Sequence, residues 1–178
     1  MASSTNLRRL LPEDWPAFRE LRLRALATDF KAFGSSVAHE TAYPESRWKE
    51  WAEGGAHGDR QATFVAETFD HRLVGMAGIF HGEDDFQVWG MWVEPSFRGQ
   101  GLATSLLTLL IEWLDGTFPS SPLRLEVNPD QEAAVRTYRK AGFEFTGRRR
   151  TMGHSSGDLV VCEMSRPSNP RREEFLRK

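Results

Sequence analysis

The stretch from Val88 to Leu114, VWGMWVEPSFRGQGLATSLLTLLIEWL, constrains this chain more than any other. It reads as a buried strand, a tight turn rich in glycine and arginine, and a long apolar helix. Phe86, Val88 and Trp92 alternate with Trp89, Met91 and Val93, so large apolar groups fall on both faces, as in a strand covered on both sides. Pro95 ends it. Beyond the turn, Thr104, Thr108, Glu112 and Asp115 form one polar stripe at helical spacing, and leucines with Ile111 and Trp113 fill the rest of the circumference. A helix of this kind is mostly buried.

The chemistry of the stretch lies in its turn, Arg98-Gly99-Gln100-Gly101-Leu102-Ala103. Glycines in a bend that opens a helix let several backbone N–H groups point outward together at the positive end of the helix dipole, which makes a nest for a phosphate or pyrophosphate. The plainer reading is a tight strand-to-helix connection and nothing more. Two other phosphate loops do not fit. No Gly-x-x-x-x-Gly-Lys-Ser/Thr run is present, and the Gly-x-Gly-x-x-Gly pattern fails at Thr104.

The remaining chain sets bounds on function. A length of 178 residues with 39% hydrophobic content predicts one domain with a sizeable core, running 1–178 with a loosely held tail over 167–178. A net charge of −2 gives no basic footprint, so nucleic acid is not an expected partner. The first residues lack a charged region followed by an apolar core, and no apolar run reaches bilayer length, so the expectation is a soluble cytoplasmic protein without a membrane partner. Cys162 is the only cysteine, in a strand-like run where a buried thiol is expected.

Read in order, Asn6 to Leu11 is a first strand, followed by a helix to about Thr28 whose apolar side carries Trp15, Phe18, Leu21, Leu23, Ala25 and Leu26. Asp29 to Ser36 is a loop with Phe30 and Phe33 embedded in it, either walling an acceptor pocket or plugging the helix end. A helix from Pro44 to about Glu53 carries Trp48 and Trp51 on one face, and Gly54 and Gly55 are expected to end it, leaving 54–60 as a flexible loop. Residues 63–68 and 73–80 read as an antiparallel pair. His81, Glu83, Asp84 and Asp85 form a solvated turn rather than a metal site, and no metal is expected. After the long helix, Leu123 to Val127 is a strand; strand, helix, strand implies a right-handed crossover, so this strand runs parallel to the Val88 strand. Gln131 to Ala141 is a helix capped by Gly142, and 143–150 with 159–165 form a last hairpin whose exposed apolar residues would permit a homodimer.

Two constellations in this order resemble the GNAT superfamily of N-acetyltransferases. Arg98, Gly101 and Ala103 match its coenzyme A pyrophosphate pattern Gln/Arg-x-x-Gly-x-Gly/Ala, and the preceding Trp-Val-Glu-Pro looks like the end of the family's fourth strand. Leu125-Glu126-Val127-Asn128, then Gln131, Ala134, Tyr138 and Ala141-Gly142-Phe143, looks like its later motif. The Ala32-Phe33-Gly34-Ser35-Ser36 segment is similar to a loop that walls the acceptor site in some bacterial members. The resemblance covers the second half of the chain, and the first half matches in the order of its elements.

The resemblance implies a mixed α/β (α+β) fold, with a central, largely antiparallel sheet, a splayed parallel strand pair and helices on both faces. It also implies acetyl-CoA as co-substrate and acetyl transfer to a small-molecule or peptide amine. Carried over by position, the coenzyme is held by Met91, Trp92, Val93, by Arg98 to Thr104 (with Gly99, Gln100, Gly101, Leu102 and Ala103), and by Asn128, Gln131 and Ala134. Gln131 stands where the family usually has Asn. Tyr138 is the general acid toward the departing thiolate, a role suited to a phenol held close to the leaving group. An alkyl ammonium has a pKa of about 10, so a base must take its proton; Glu126 is the candidate and Glu94 its rival. A backbone N–H of Met91 or Val93 would polarise the thioester carbonyl. Trp48, Trp51, Phe30 and Phe33 suggest an aromatic wall for the acceptor. The reading from a different class is a non-catalytic acyl-CoA-binding sensor or partner module.

Overall fold

Strand, turn and helix in the central stretch sit at the middle of one seven-stranded sheet. The computed structural model describes residues 5–152 and 158–168; His154 and the tail from residue 169 onward lie outside the described residues. The strands are β1 (Thr5–Arg9), β2 (Gln61–Thr68), β3 (Leu73–His81), β4 (Phe86–Val93), β5 (Leu123–Val127), β6 (Glu144–Met152) and β7 (Leu159–Arg166). The helices are α1 (Trp15–Thr28), α2 (Val37–Thr41), α3 (Glu45–His57), α4 (Leu102–Thr117) and α5 (Glu132–Lys140). The strand order is β1-β2-β3-β4-β5-β7-β6, antiparallel throughout except between β4 and β5. The chain thus has the mixed fold expected of it, with its parallel pair where α4 crosses over.

Helices cover both faces. On one, Phe18, Leu21, Ala25 and Leu26 of α1 and Trp48 and Ala52 of α3 pack on Val65, Met76 and Trp92. On the other, Leu106, Leu107, Leu110 and Leu114 of α4 share one buried cluster with Val74, Ala77, Ile79 and Phe86 of the sheet and with Val135 and Tyr138 of α5. Burial of these side chains stabilises the fold by roughly 1.5–3 kcal/mol each before chain entropy is counted.

Three local readings of the sequence are corrected. The simple alternation along β4 fails, because the pairing steps from Gly78↔Trp89 to Met76↔Trp92 and inserts one extra residue in β4. Gly90 takes up the bulge in the left-handed region, at φ 63°. Side-chain parity therefore flips: Trp89 and Trp92 face α1 and α3, while Val88, Met91 and Val93 face α4. Nor does α3 end at Gly54 and Gly55; it continues to His57. A Cβ on Gly55 would stand 2.7 Å from Thr63 Oγ1, so this glycine serves the close approach of α3 to β2 and not a loop. Cys162 is only partly buried in β7.

Two features were not foreseen. The short helix α2 is capped by Ser36, whose Oγ accepts the His39 N–H at 3.2 Å, and it carries Glu40 into a buried ion pair with Arg22 of α1. Asp115, read as part of the polar stripe of α4, is buried and receives both Arg166 Nη atoms at 3.2 and 3.1 Å.

The pairing of β4 with β5 is the feature that positions the site. It spans only Phe86↔Leu123 and Gln87↔Arg124. Beyond these, the strands part and leave a cleft between Val88–Val93 and Leu125–Val127. Among the described residues no helix is long and apolar enough to cross a membrane.

Candidate active site

The cleft between the splayed strands has a volume of about 710 Å³ and reaches from the turn before α4 to the inner face of α5. That is ample for an organic ligand. At its mouth the backbone is left-handed at Gly99 (φ 76°) and Gly101 (φ 82°), and a Cβ on either would meet nothing within 4 Å. The glycines therefore serve backbone conformation and openness rather than close packing. No side chain caps α4, and its first internal bond runs from Ser105 N–H to Gly101 O at 3.0 Å. The N–H groups of Leu102, Ala103 and Thr104 precede that bond and border the cleft, an arrangement suited to an anion.

Arg98 is fixed beside this nest. Its Nε donates to Val93 O at 2.8 Å and its Nη2 pairs with the Asp29 carboxylate, which also accepts the Trp92 indole N–H at 2.6 Å. Asp29 is the residue that ends α1, so the loop after α1 and the glycine turn are tied together through one carboxylate. Sequence reasoning placed Asp29 only in a polar loop; its partners are distant in sequence and give no local signal.

Met91, Trp92 and Val93 line one wall, and Glu126, Gln131, Ala134 and Tyr138 line the other. Tyr138 is buried against Phe143, with ring centroids 6.0 Å apart. Loss of water pushes its phenol up to about 12, so it stays protonated at neutral pH. Glu126 accepts from Arg150 Nε and Nη2 at 2.6 and 2.5 Å and in return holds that guanidinium above its ordinary value.

Other candidates stand elsewhere. Glu94 does not border the cleft: it accepts two bonds from Arg72, at 2.8 and 2.6 Å, and lies 3.6 Å from Arg24 Nε. Gln100 is exposed outside the lining. Asn128 folds its Oδ1 back onto the Asp130 N–H at 3.0 Å, which shapes the turn into α5, and borders a second cavity of about 740 Å³. That cavity shares Asp29, Asp130 and Gln131 with the cleft.

Toward α1 the wall is made by Asp29, Ala32, Phe33, Trp89 and Gly90. Trp48 is fully buried, and Trp51 packs behind Trp89 at 5.6 Å, so these two support the wall without forming it. Among the described residues no group of three or more His, Cys, Asp or Glu could hold a metal ion.

Residues 9–143 match the family described as Acetyltransferase (GNAT). Over 89 residues the chain is 35% identical to N-alpha-acetyltransferase RimI of Mycobacterium tuberculosis, a match covering 48% of this chain and 54% of that protein, so it spans about half the length of this curated relative. Among solved structures, a GNAT-family acetyltransferase from Streptococcus pneumoniae superposes with a TM-score of 0.80 at 20% identity, covering 93% of this chain and 100% of that one. A phosphinothricin acetyltransferase from Sinorhizobium meliloti, solved in complex with AcCoA, gives 0.76 at 17% identity, over 96% and 90% of the two chains. At these identities the two structures establish the shared fold.

Proposed function

The chain belongs to the GNAT acetyltransferase family, and on that premise we propose that it moves an acetyl group from acetyl-CoA to an amine by direct attack in a ternary complex. The observation that carries the reading is that a single cleft is bordered by an open anion nest at one end and a buried phenol on the opposite wall.

In this reading Gly99 and the residues from Gly101 to Thr104 hold the pyrophosphate, and Met91 to Val93 with Gln131 and Ala134 flank the pantetheine arm. Asn128 shapes the turn beside it. A backbone N–H at Met91 or Val93 polarises the thioester carbonyl. The neutral amine forms the new C–N bond, the C–S bond breaks, and the electron pair leaves on sulfur. Tyr138 hydrogen-bonds that sulfur as charge develops. A phenol near 12 is a weaker acid than an ordinary thiol near 8.5, so its contribution is this hydrogen bond, and the thiolate takes its proton from solvent on release. Glu126 takes the amine proton through water, and its pairing with Arg150 holds the carboxylate in place.

The acceptor is a small-molecule amine or a peptide amine; the RimI name of one relative supports the peptide. A coenzyme-sensing module is the reading from another class, and a buried phenol and Glu126 on one cleft wall favour the enzyme. Gly101→Glu tests both, because it places a charged side chain in the nest. Calorimetry is expected to show coenzyme A affinity weakened at least 100-fold, and unchanged affinity overturns the nest. In the wild type, coenzyme binding without thiol release over a broad amine panel favours the sensor.

A further inference from the structure

Arg22 is a buried charged group that the mechanism leaves unused. Its side chain is 8% exposed, and Glu40 occupies two of its three nitrogens, accepting from Nε at 2.9 Å and from Nη2 at 2.7 Å. The Phe33 ring lies against the guanidinium, 4.7 Å from centroid to Cζ. The third nitrogen, Nη1, is buried with no hydrogen-bond partner. Native interiors seldom leave a donor so, and each exception calls for an explanation.

The bulge in β4 supplies one. A Cβ built on Gly90 would stand 3.7 Å from Arg22 Nη1 and within 4 Å of nothing else. Gly90 and Phe33 both border the cleft. The side chain that Gly90 lacks thus leaves a gap beside the cleft-wall backbone, and the nearest atom to that gap is the unsatisfied donor, which is itself covered and does not line the cleft. Gly90 also immediately precedes Met91, a candidate for polarising the thioester, so whatever fills the gap lies next to the reacting centre.

Charge decides what fits there. Glu40 already neutralises Arg22, so a second carboxylate would leave a net negative charge in a buried place, whereas a neutral carbonyl oxygen satisfies the donor at no such cost. Resting on the acetyl-transfer reading, we propose that Arg22 Nη1 donates to a carbonyl oxygen one carbon away from the attacking amine. The acceptor is then an α-amino carbonyl compound, a peptide N-terminus or an amino-acid amide, whose first side chain lies along Phe33 and Trp89. Arg22 is a specificity-determining residue in this scheme.

Three matched acceptors test it: phenylalaninamide, phenylalanine and phenethylamine, with acetyl-CoA and thiol release as the readout and rates expressed per neutral amine. The amide is expected to exceed each of the others at least tenfold in kcat/KM. Arg22→Lys keeps a cation for Glu40 but lacks the planar fork, and Gly90→Ala fills the gap; both are expected to bring the amide-to-amine ratio below about threefold. Coenzyme A titration and a thermal melt on each variant establish that it is folded, and the wild-type ratio stands without either variant. Phenethylamine matching the amide, phenylalanine exceeding it, or Gly90→Ala keeping the full ratio overturns the proposal while acetyl transfer itself stands. Thiol release from none of these and from no other amine, with coenzyme bound, overturns the transfer reading as well.

Discussion

Tyr138 and Glu126 face the same cleft under opposite conditions, one stripped of water and the other exposed in an ion pair. Tyr138→Phe is expected to lower kcat about 100-fold while coenzyme affinity stays within about twofold, measured by thiol release and calorimetry. Because the folded phenol ionises only near 12 while an unfolded one does so near 10, this group's stabilisation is complete below pH 10 and is lost as pH rises from 10 through 12. The Phe variant should lack that alkaline loss in thermal melts. If Glu126 is the base as proposed, Glu126→Gln should change the acid limb of the pH–rate profile. Glu94→Gln should leave the profile intact and lower stability by about 1 kcal/mol, since it only releases Arg72 and Arg24. A wild-type profile in Glu126→Gln excludes that carboxylate. At this scale the residue types and their motif spacing were legible in the chain, but the partners were not. Arg150 lies 24 residues from Glu126 and Asp29 lies 69 from Arg98, and nothing local announces either pairing.

At the scale of elements, the glycine turn was readable because its chemistry is local: the conformation of Gly99 and Gly101 and the start of α4 follow from neighbouring residues. The glycines of α3 were misread because their reason lies on another strand. Gly55 faces Thr63, whereas Gly54 faces only the end of the exposed Gln61 side chain. The two should therefore respond oppositely to alanine. Gly54→Ala is expected to raise stability by about 0.5–1 kcal/mol through helix propensity, and Gly55→Ala to lower it by about 1–2 kcal/mol as Thr63 is forced aside. Chemical denaturation of the two variants decides it, and a gain at Gly55 would remove the packing argument. The reversed parity beyond Gly90 has the same origin, since a bulge is set by the register with β3 and cannot be seen in an alternating pattern.

For the whole molecule, the order of elements and the crossover at α4 determine which strands are neighbours, and that much followed from the chain alone. What holds the two blocks of the sheet at their separation did not. Beyond the short contact of β4 with β5, Arg124 bonds Asp85 at 2.6 Å and Arg166 bonds Asp115 at 3.1 Å, joining the β5-β7-β6 block to the β3–β4 turn and to α4. Asp115→Ala leaves the partly buried Arg166 without its carboxylate and is expected to cost about 3 kcal/mol, read as a lowered midpoint in urea. It should also weaken coenzyme affinity, because one side of the cleft loses its anchor. A lowered midpoint with unchanged affinity would confine the pair to stability. The parting of β4 from β5 has a further consequence. Each carries an internal edge, a row of main-chain donors and acceptors without a neighbouring strand, which elsewhere would invite aggregation but here lies inside a concavity. Under the acetyl-transfer reading, an extended ligand arm with amides of its own would take the place of the absent strand. Such a grip relies on peptide groups common to every sequence, so the surrounding side chains are free to diverge, and specificity for the second substrate can change without rebuilding the seat of the first.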